Sequence, residues 1–201
     1  QRQMCIRDSL ITEGLLVREQ GRGTFRASSI IPSYSQEVIS DRAQGFYEQT
    51  YSNDAKIRIK VIENDVIHDE DAAARLGLDP VDELICLKRL RYVDDVLSRY
   101  SVLYLPASRF PKILTHDFSD ESLSDFLLKA YAVQLVENEV SVHIENLCDR
   151  LAAVLNLEVG TPAITAYSTV KDKFGTIIAF GASVYAPNSG EIRFHLHSNA
   201  A

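Results

Sequence analysis

The sequence predicts an α+β fold, a mostly antiparallel sheet with flanking helices, preceded by a short basic helix–hairpin fragment. Three observations carry that expectation. After residue 46 the strand signals come largely in hairpin pairs and alternate with short helical segments, in the order strand, helix, hairpin, helix, strand, helix, hairpin, strand. Hydrophobic residues make up 46% of the 201, enough for one domain of ordinary size with a real core plus a fragment of another. The charge changes sign along the chain: residues 1–26 hold five arginines against three acids, whereas residues 27–201 hold 16 basic and 25 acidic side chains. Taken as an average, the net charge of −7 argues against a nucleic-acid binder, but the split describes a basic head on an acidic body.

In chain order, Leu10, Ile11 and Leu15 fall at helical spacing, and Glu13-Gly14 closes that helix because glycine accepts the left-handed conformation at a helix end. Leu15 to Arg18 reads as a short strand, Gly21-Arg22-Gly23 as a tight reversal, and Thr24 to Arg26 as a returning strand. Helix end, strand, glycine-flanked basic tip and strand together describe the wing of a winged helix. Such a hairpin can lie along the minor groove, with Arg18, Arg22 and Arg26 supplying charge and the backbone N–H groups of residues such as Gly23 and Thr24 meeting phosphate. Gln1 to Ser9 does not continue the apolar pattern backwards, since Arg7 stands where a core residue is needed; the segment reads as a truncation point or joining junction.

Residues 27–45 are rich in serine and other polar residues, contain Pro32 and lack a sustained period, and they read as an interdomain linker. Lys56 to Ile67 alternates Ile57, Ile59 and Val61 with charged partners, as a half-buried strand does. Asp69-Glu70-Asp71 opens a helix over Ala72 to Leu76, which Gly77 ends. Leu84 to Tyr92 and Ser98 to Leu105 form a hairpin joined by Val93 to Val96. Helical spacing of Leu123, Phe126, Leu127 and Ala130 predicts a helix over Glu121 to Tyr131, and Gln134 to Glu145 is an alternating strand. Asn146 to Leu155 reads as a helix closed by Asn156 and Gly160. Ala163 to Asp172 and Thr176 to Tyr185 form a second hairpin, and Ile192 to Leu196 a last strand. No internal repeat is legible.

The run Leu10 to Leu16 with Arg18 and Gly21 to Phe25 resembles the end of the DNA-binding domain in the GntR family of bacterial transcription regulators. Residues 46–198 resemble UTRA, the effector-sensing domain of the HutC branch, through Leu76-Gly77-Leu78, Leu84 to Asp95, Tyr104-Leu105-Pro106, Leu151 to Leu157 and Gly175 to Tyr185. The resemblance implies residues 1–26 as a remnant of the winged helix, 27–45 as linker and 46–201 as the sensing domain. It also implies a chorismate-lyase-like fold, a small-molecule pocket over the sheet, a homodimer and operator DNA as partner. The side chains that read bases in this class lie on the part of the recognition helix that this sequence does not contain, so contact of this chain with DNA is expected to be weak and non-specific.

Arg89 and Arg91 stand two apart on one strand and so share a face, where paired guanidiniums hold phosphate or carboxylate by bidentate hydrogen bonds. They match the arginine pair that faces the effector in related sensors; the alternative is pairing with acids on a neighbouring strand, such as Glu137 or Glu139. Ser101 stands where many relatives carry a glutamate. Glu137 and Glu139 share a face and either bind a cationic or hydroxylated ligand or form a solvated surface. Tyr167 and Tyr185 either flank the ligand or are ordinary sheet residues. Relatives follow the tyrosine with Gly-Asp-Arg-Tyr, whereas Ala186 to Glu191 contains no arginine, which weakens the case for a phosphorylated sugar.

Other chemistries find little footing. Three widely separated cysteines fit a reducing cytoplasm, with Cys86 and Cys148 as buried apolar residues. His195 and His197 share a strand face but lack a third ligand at a convincing spacing, so no metal or other cofactor is expected. Gly21-Arg22-Gly23 is not a dinucleotide fingerprint, Ser183 is in no nucleophile elbow, and no apolar run reaches membrane-spanning length. Three readings follow: a ligand-responsive transcription regulator, usually a repressor in this branch; a chorismate-lyase-like enzyme using Arg89 and Arg91 for substrate carboxylates; or a dimerisation module with an empty pocket.

Overall fold

The computed structural model describes residues 16–19, 23–26, 36–39, 49–50, 56–119, 121–187 and 191–194. The chain divides into two compact units, Gln1–Pro32 and Ser33–Ala201. In the first, strands β1 (Leu16–Glu19) and β2 (Gly23–Arg26) pair antiparallel with Leu16 opposite Arg26 and Glu19 opposite Gly23. The helix expected before Leu15, the Gly21-Arg22 tip, Cys5 and the His195/His197 pair lie outside the described residues.

The second unit is built on a six-stranded antiparallel sheet. Its strands are β5 (Ile57–Ile67), β6 (Leu84–Val93), β7 (Val96–Pro106), β8 (Leu135–Asn146), β9 (Pro162–Asp172) and β10 (Ile177–Tyr185). They lie in the order β5-β6-β7-β10-β9-β8. A separate three-stranded sheet joins β3 (Gln36–Ile39), β4 (Gln49–Thr50) and β11 (Glu191–Phe194), with β11 parallel to β3. The segment read as linker therefore contains a strand. Four residues of mixed polarity carry too little alternation to announce it; the parallel partner from the far end of the chain makes it one.

The six-stranded sheet consists of the same unit used twice. Strand β5, helix α1 (Glu70–Leu76) and hairpin β6–β7 are matched by β8, helix α3 (Asp149–Leu155) and hairpin β9–β10. The two units meet where β7 pairs with β10. Although sequence reading finds no repeat, the helix ends are alike. Gly77 (φ 71°) and Asn156 (φ 55°) both take the left-handed conformation. Leu78 N–H donates to Ala73 O and Leu157 N–H to Ala152 O, each at 2.9 Å, the same Schellman closure. The shared signal is reduced to Leu-Gly-Leu against Leu-Asn-Leu.

Because residues opposite each other in antiparallel strands share a face, the register sorts every side chain. One face carries Leu84, Leu90, Tyr100, Phe180 and Val184 and is covered at two places, by Ala72, Ala73 and Leu76 of α1 and by Ala152 and Leu155 of α3. The other carries Ile85, Leu87, Leu103, Leu105 and Val170. It is covered by Phe110, Phe118 and helix α2 (Leu123–Tyr131), all in the connection between the two units. Helix α1 is capped by Asp69, whose Oδ1 accepts from Ala72 N–H at 2.9 Å, and α2 by Ser122, whose Oγ accepts from Asp125 N–H at 3.1 Å. Helix α3 begins three residues later than the sequence predicts, because β8 runs on to Asn146.

Candidate functional site

The hairpin β6–β7 turns on two residues, Asp94 (φ 49°) and Asp95 (φ 63°), both left-handed, as a type I′ turn requires. From Val93 opposite Val96 and Tyr92 opposite Leu97, an unbroken ladder would next place Arg91 opposite Ser98 and Arg89 opposite Tyr100. It does not. Ser98 is an extra residue in β7, so Arg91 pairs with Arg99 and Arg89 with Ser101. Its carbonyl accepts from Ala186 N–H at 2.9 Å. The bulge reverses the facing of the rest of β7 and brings Arg99 and Ser101 onto the face that holds Arg89 and Arg91. Across the next ladder Ser183 lies opposite Ser101 and Tyr185 opposite Arg99.

Three arginines, two serines and a tyrosine thus occupy adjacent positions on three neighbouring strands. Arg89 is 3% and Arg99 2% exposed, so these guanidiniums are held away from water. A buried cation is stable only among polar or anionic partners, and Arg99 Nη1 meets Tyr185 Oη at 3.4 Å. The Arg89 guanidinium carbon lies 6.0 Å from the centroid of the Phe118 ring, bringing it alongside the α2 cover. Between α2 and this face lies an apolar cavity of about 30 Å³, lined by Leu103, Leu123, Leu127, Val170 and Ile178 and reaching Ser168 and Ser183. Gly181 forms part of its floor. A Cβ there would stand 2.5 Å from Val102 O and 2.7 Å from Leu103 Cδ2, so glycine is what lets the Leu103 side chain lie over β10.

Of the residues singled out in the sequence, Arg89, Arg91, Ser101 and Tyr185 come together. Glu137, Glu139 and Tyr167 do not: by register they point from the opposite face, and β8 is separated from β6 by three strands. Glu137 accepts from Lys171 Nζ at 2.6 Å, and Tyr167 Oη donates to Glu145 at 3.1 Å. Neither glutamate is on a strand beside the arginines, so pairing of Arg89 or Arg91 with Glu137 or Glu139 is not formed. Arg99 and Ser183 were missed by sequence reading, because only the bulge sets the facing of Arg99. Arg18, Gly23 and Thr24 lie on β1 and β2, where Arg18 is opposite Thr24; Arg22 is outside the described residues. Cys86 is buried as expected, and burial pushes its thiol up to about 11, but Cys148 is exposed at the start of α3. Among the described residues no cluster of His, Cys, Asp and Glu could hold a metal, and no helix is long and apolar enough to cross a membrane.

The model of the UTRA domain family matches residues 52–189, which span the whole six-stranded sheet and the arginine cluster. The chain belongs to the UTRA domain family. It is similar to the uncharacterized HTH-type transcriptional regulator YurK of Bacillus subtilis (strain 168), with 29% identity over 152 residues, 75% of this chain and 61% of YurK. Over 107 residues it is 34% identical to the HTH-type transcriptional regulator GmuR of the same organism, covering 53% of this chain and 44% of GmuR. The chain thus spans less than two thirds of the length of these relatives. Among solved structures, PhnF from Mycobacterium smegmatis shares the fold with a TM-score of 0.72 at 18% identity, over 96% of this chain and 83% of that one. The C-terminal domain of Yurk from B. subtilis does so with a TM-score of 0.64 at 21% identity, over 68% and 94%.

Proposed function

We propose that this UTRA chain is the effector-sensing part of a DNA-binding transcription regulator, and that its effector is an anionic metabolite held by Arg89, Arg91 and Arg99. The observation that carries the reading is the gathering of three arginines on one sheet face by a one-residue bulge, next to a cavity under α2. Guanidiniums match carboxylate and phosphate with parallel N–H donors, and a site removed from bulk water makes each such bond stronger than it would be at the surface. The regulator names of the relatives support sensing over catalysis.

In this reading the protein works as a homodimer that represses an operon. The effector binds two conformations of the sensing domain unequally and shifts their populations. The change passes through the segment around residues 27–45 and alters the spacing of two winged helices, whose wings include Arg18, Arg22, Gly23 and Thr24. A palindromic operator tolerates little change in half-site spacing, so DNA affinity falls. The test is a thermal-shift screen of the chain against organic phosphates and carboxylates, because a ligand that binds only the native state raises the melting temperature with its concentration. Arg91→Ala is expected to remove the shift of any hit. A hit whose shift is the same in Arg91→Ala would place the site elsewhere.

A further inference from the structure

We infer that the effector is a small organic anion with a short apolar flank, its charged group on the arginines and its carbon part in the cavity beneath α2. The inference rests on the proposed anion site and narrows what that site accepts. Ser183 belongs to both regions: it lines the cavity, and it stands opposite Ser101, which stands opposite Arg89. Two strand spacings, about 10 Å, separate the Ser183 and Arg89 backbones, a gap that an arginine side chain and a small anion together bridge. The Phe118 ring beside the Arg89 guanidinium belongs to the same apolar cluster as Leu123 and Leu127 of α2, so the charged and apolar regions share a wall.

The cavity is too apolar to be a good water site. A water needs two to four polar partners, and of the serines that line this cavity Ser168 is already bonded to Asn138 Oδ1. A polyhydroxylated ring placed here would leave hydroxyls unpaired in a space walled by leucine, valine and isoleucine, which costs more than the buried area returns. A methyl or short alkyl group meets no such penalty.

The experiment is calorimetric titration of the chain with straight-chain carboxylates from acetate to octanoate, with phenylacetate, and with inorganic phosphate and glucose 6-phosphate as comparisons. Affinity is expected to rise about three- to fourfold per methylene for the first one or two carbons and then to level off, because a cavity of about 30 Å³ fills at that point. Leu127→Ala, which enlarges the cavity, should move the levelling-off to longer chains, and Ser124→Leu, which fills it from α2, should flatten the series. A flat carboxylate series with tight glucose 6-phosphate binding that Arg91→Ala abolishes would overturn the apolar flank and leave the anion site standing. Carboxylate affinities that are themselves unchanged in Arg91→Ala would overturn both, as would the absence of binding by every compound in the set.

Discussion

Arg91 is half-buried beside two arginines that are almost wholly buried, and it is the most exposed of the three. Arg91→Lys should retain a charge but lose the planar pair of donors, so affinity for a carboxylate hit should fall about tenfold or more, read by calorimetry. Asp172 is a different kind of residue, placed for stability. Burial alone would raise its pKa, but Arg109 Nη2 at 2.6 Å and the N–H groups of Phe174 and Thr176 outweigh it and hold the carboxyl below its ordinary value. The carboxylate therefore stabilises the fold fully above its unfolded value of about 3.9, and that stability is lost as pH falls through the lower folded value. Asp172→Asn should cost about 1–3 kcal/mol in urea unfolding at pH 7 and show a shallower loss of stability in acid. Cys86 should resist alkylation until the protein unfolds, whereas exposed Cys148 should react in the native state, as peptide mass spectrometry would show.

At the level of elements, caps and turns explain why the helices and hairpins lie where they do. Removing the α1 cap with Asp69→Ala should cost about 1 kcal/mol. Gly181→Ala should cost about 1–3 kcal/mol, because its Cβ would press on Val102 O, a backbone atom that cannot swing aside. Much of this scale was legible in the sequence. Period-two alternation located β5 and β8, and Asp69, Gly77 and Asn156 marked helix ends through local chemistry that needs no tertiary context. What could not be read depends on partners. The bulge at Ser98 sits in an ordinary-looking strand, and without it the chain would turn Arg99 and Ser101 away from Arg89 and Arg91. For the same reason Glu137 and Glu139, correctly placed on one face of one strand, could not be assigned to the right side of the sheet. Strand β3 is defined by β11, some 150 residues later in the chain.

For the molecule as a whole, the seam between β7 and β10 is the centre of the sheet, with β5 and β8 as its two edges. Amides of β7 and β10 should therefore exchange with solvent most slowly and those of the edge strands faster, a gradient measurable by hydrogen exchange. A bound effector should slow exchange in α2 and along β6 and β7 more than in α1 or α3, since only the former border the arginine face. The doubled architecture also gives its two halves different chemistry. Beneath α2 the second strand–helix–hairpin unit presents Ser168 and Val170 in an apolar setting, while its twin presents Arg89 and Arg91. Both twins therefore border the space beneath α2, one supplying its charged side and the other most of its apolar side.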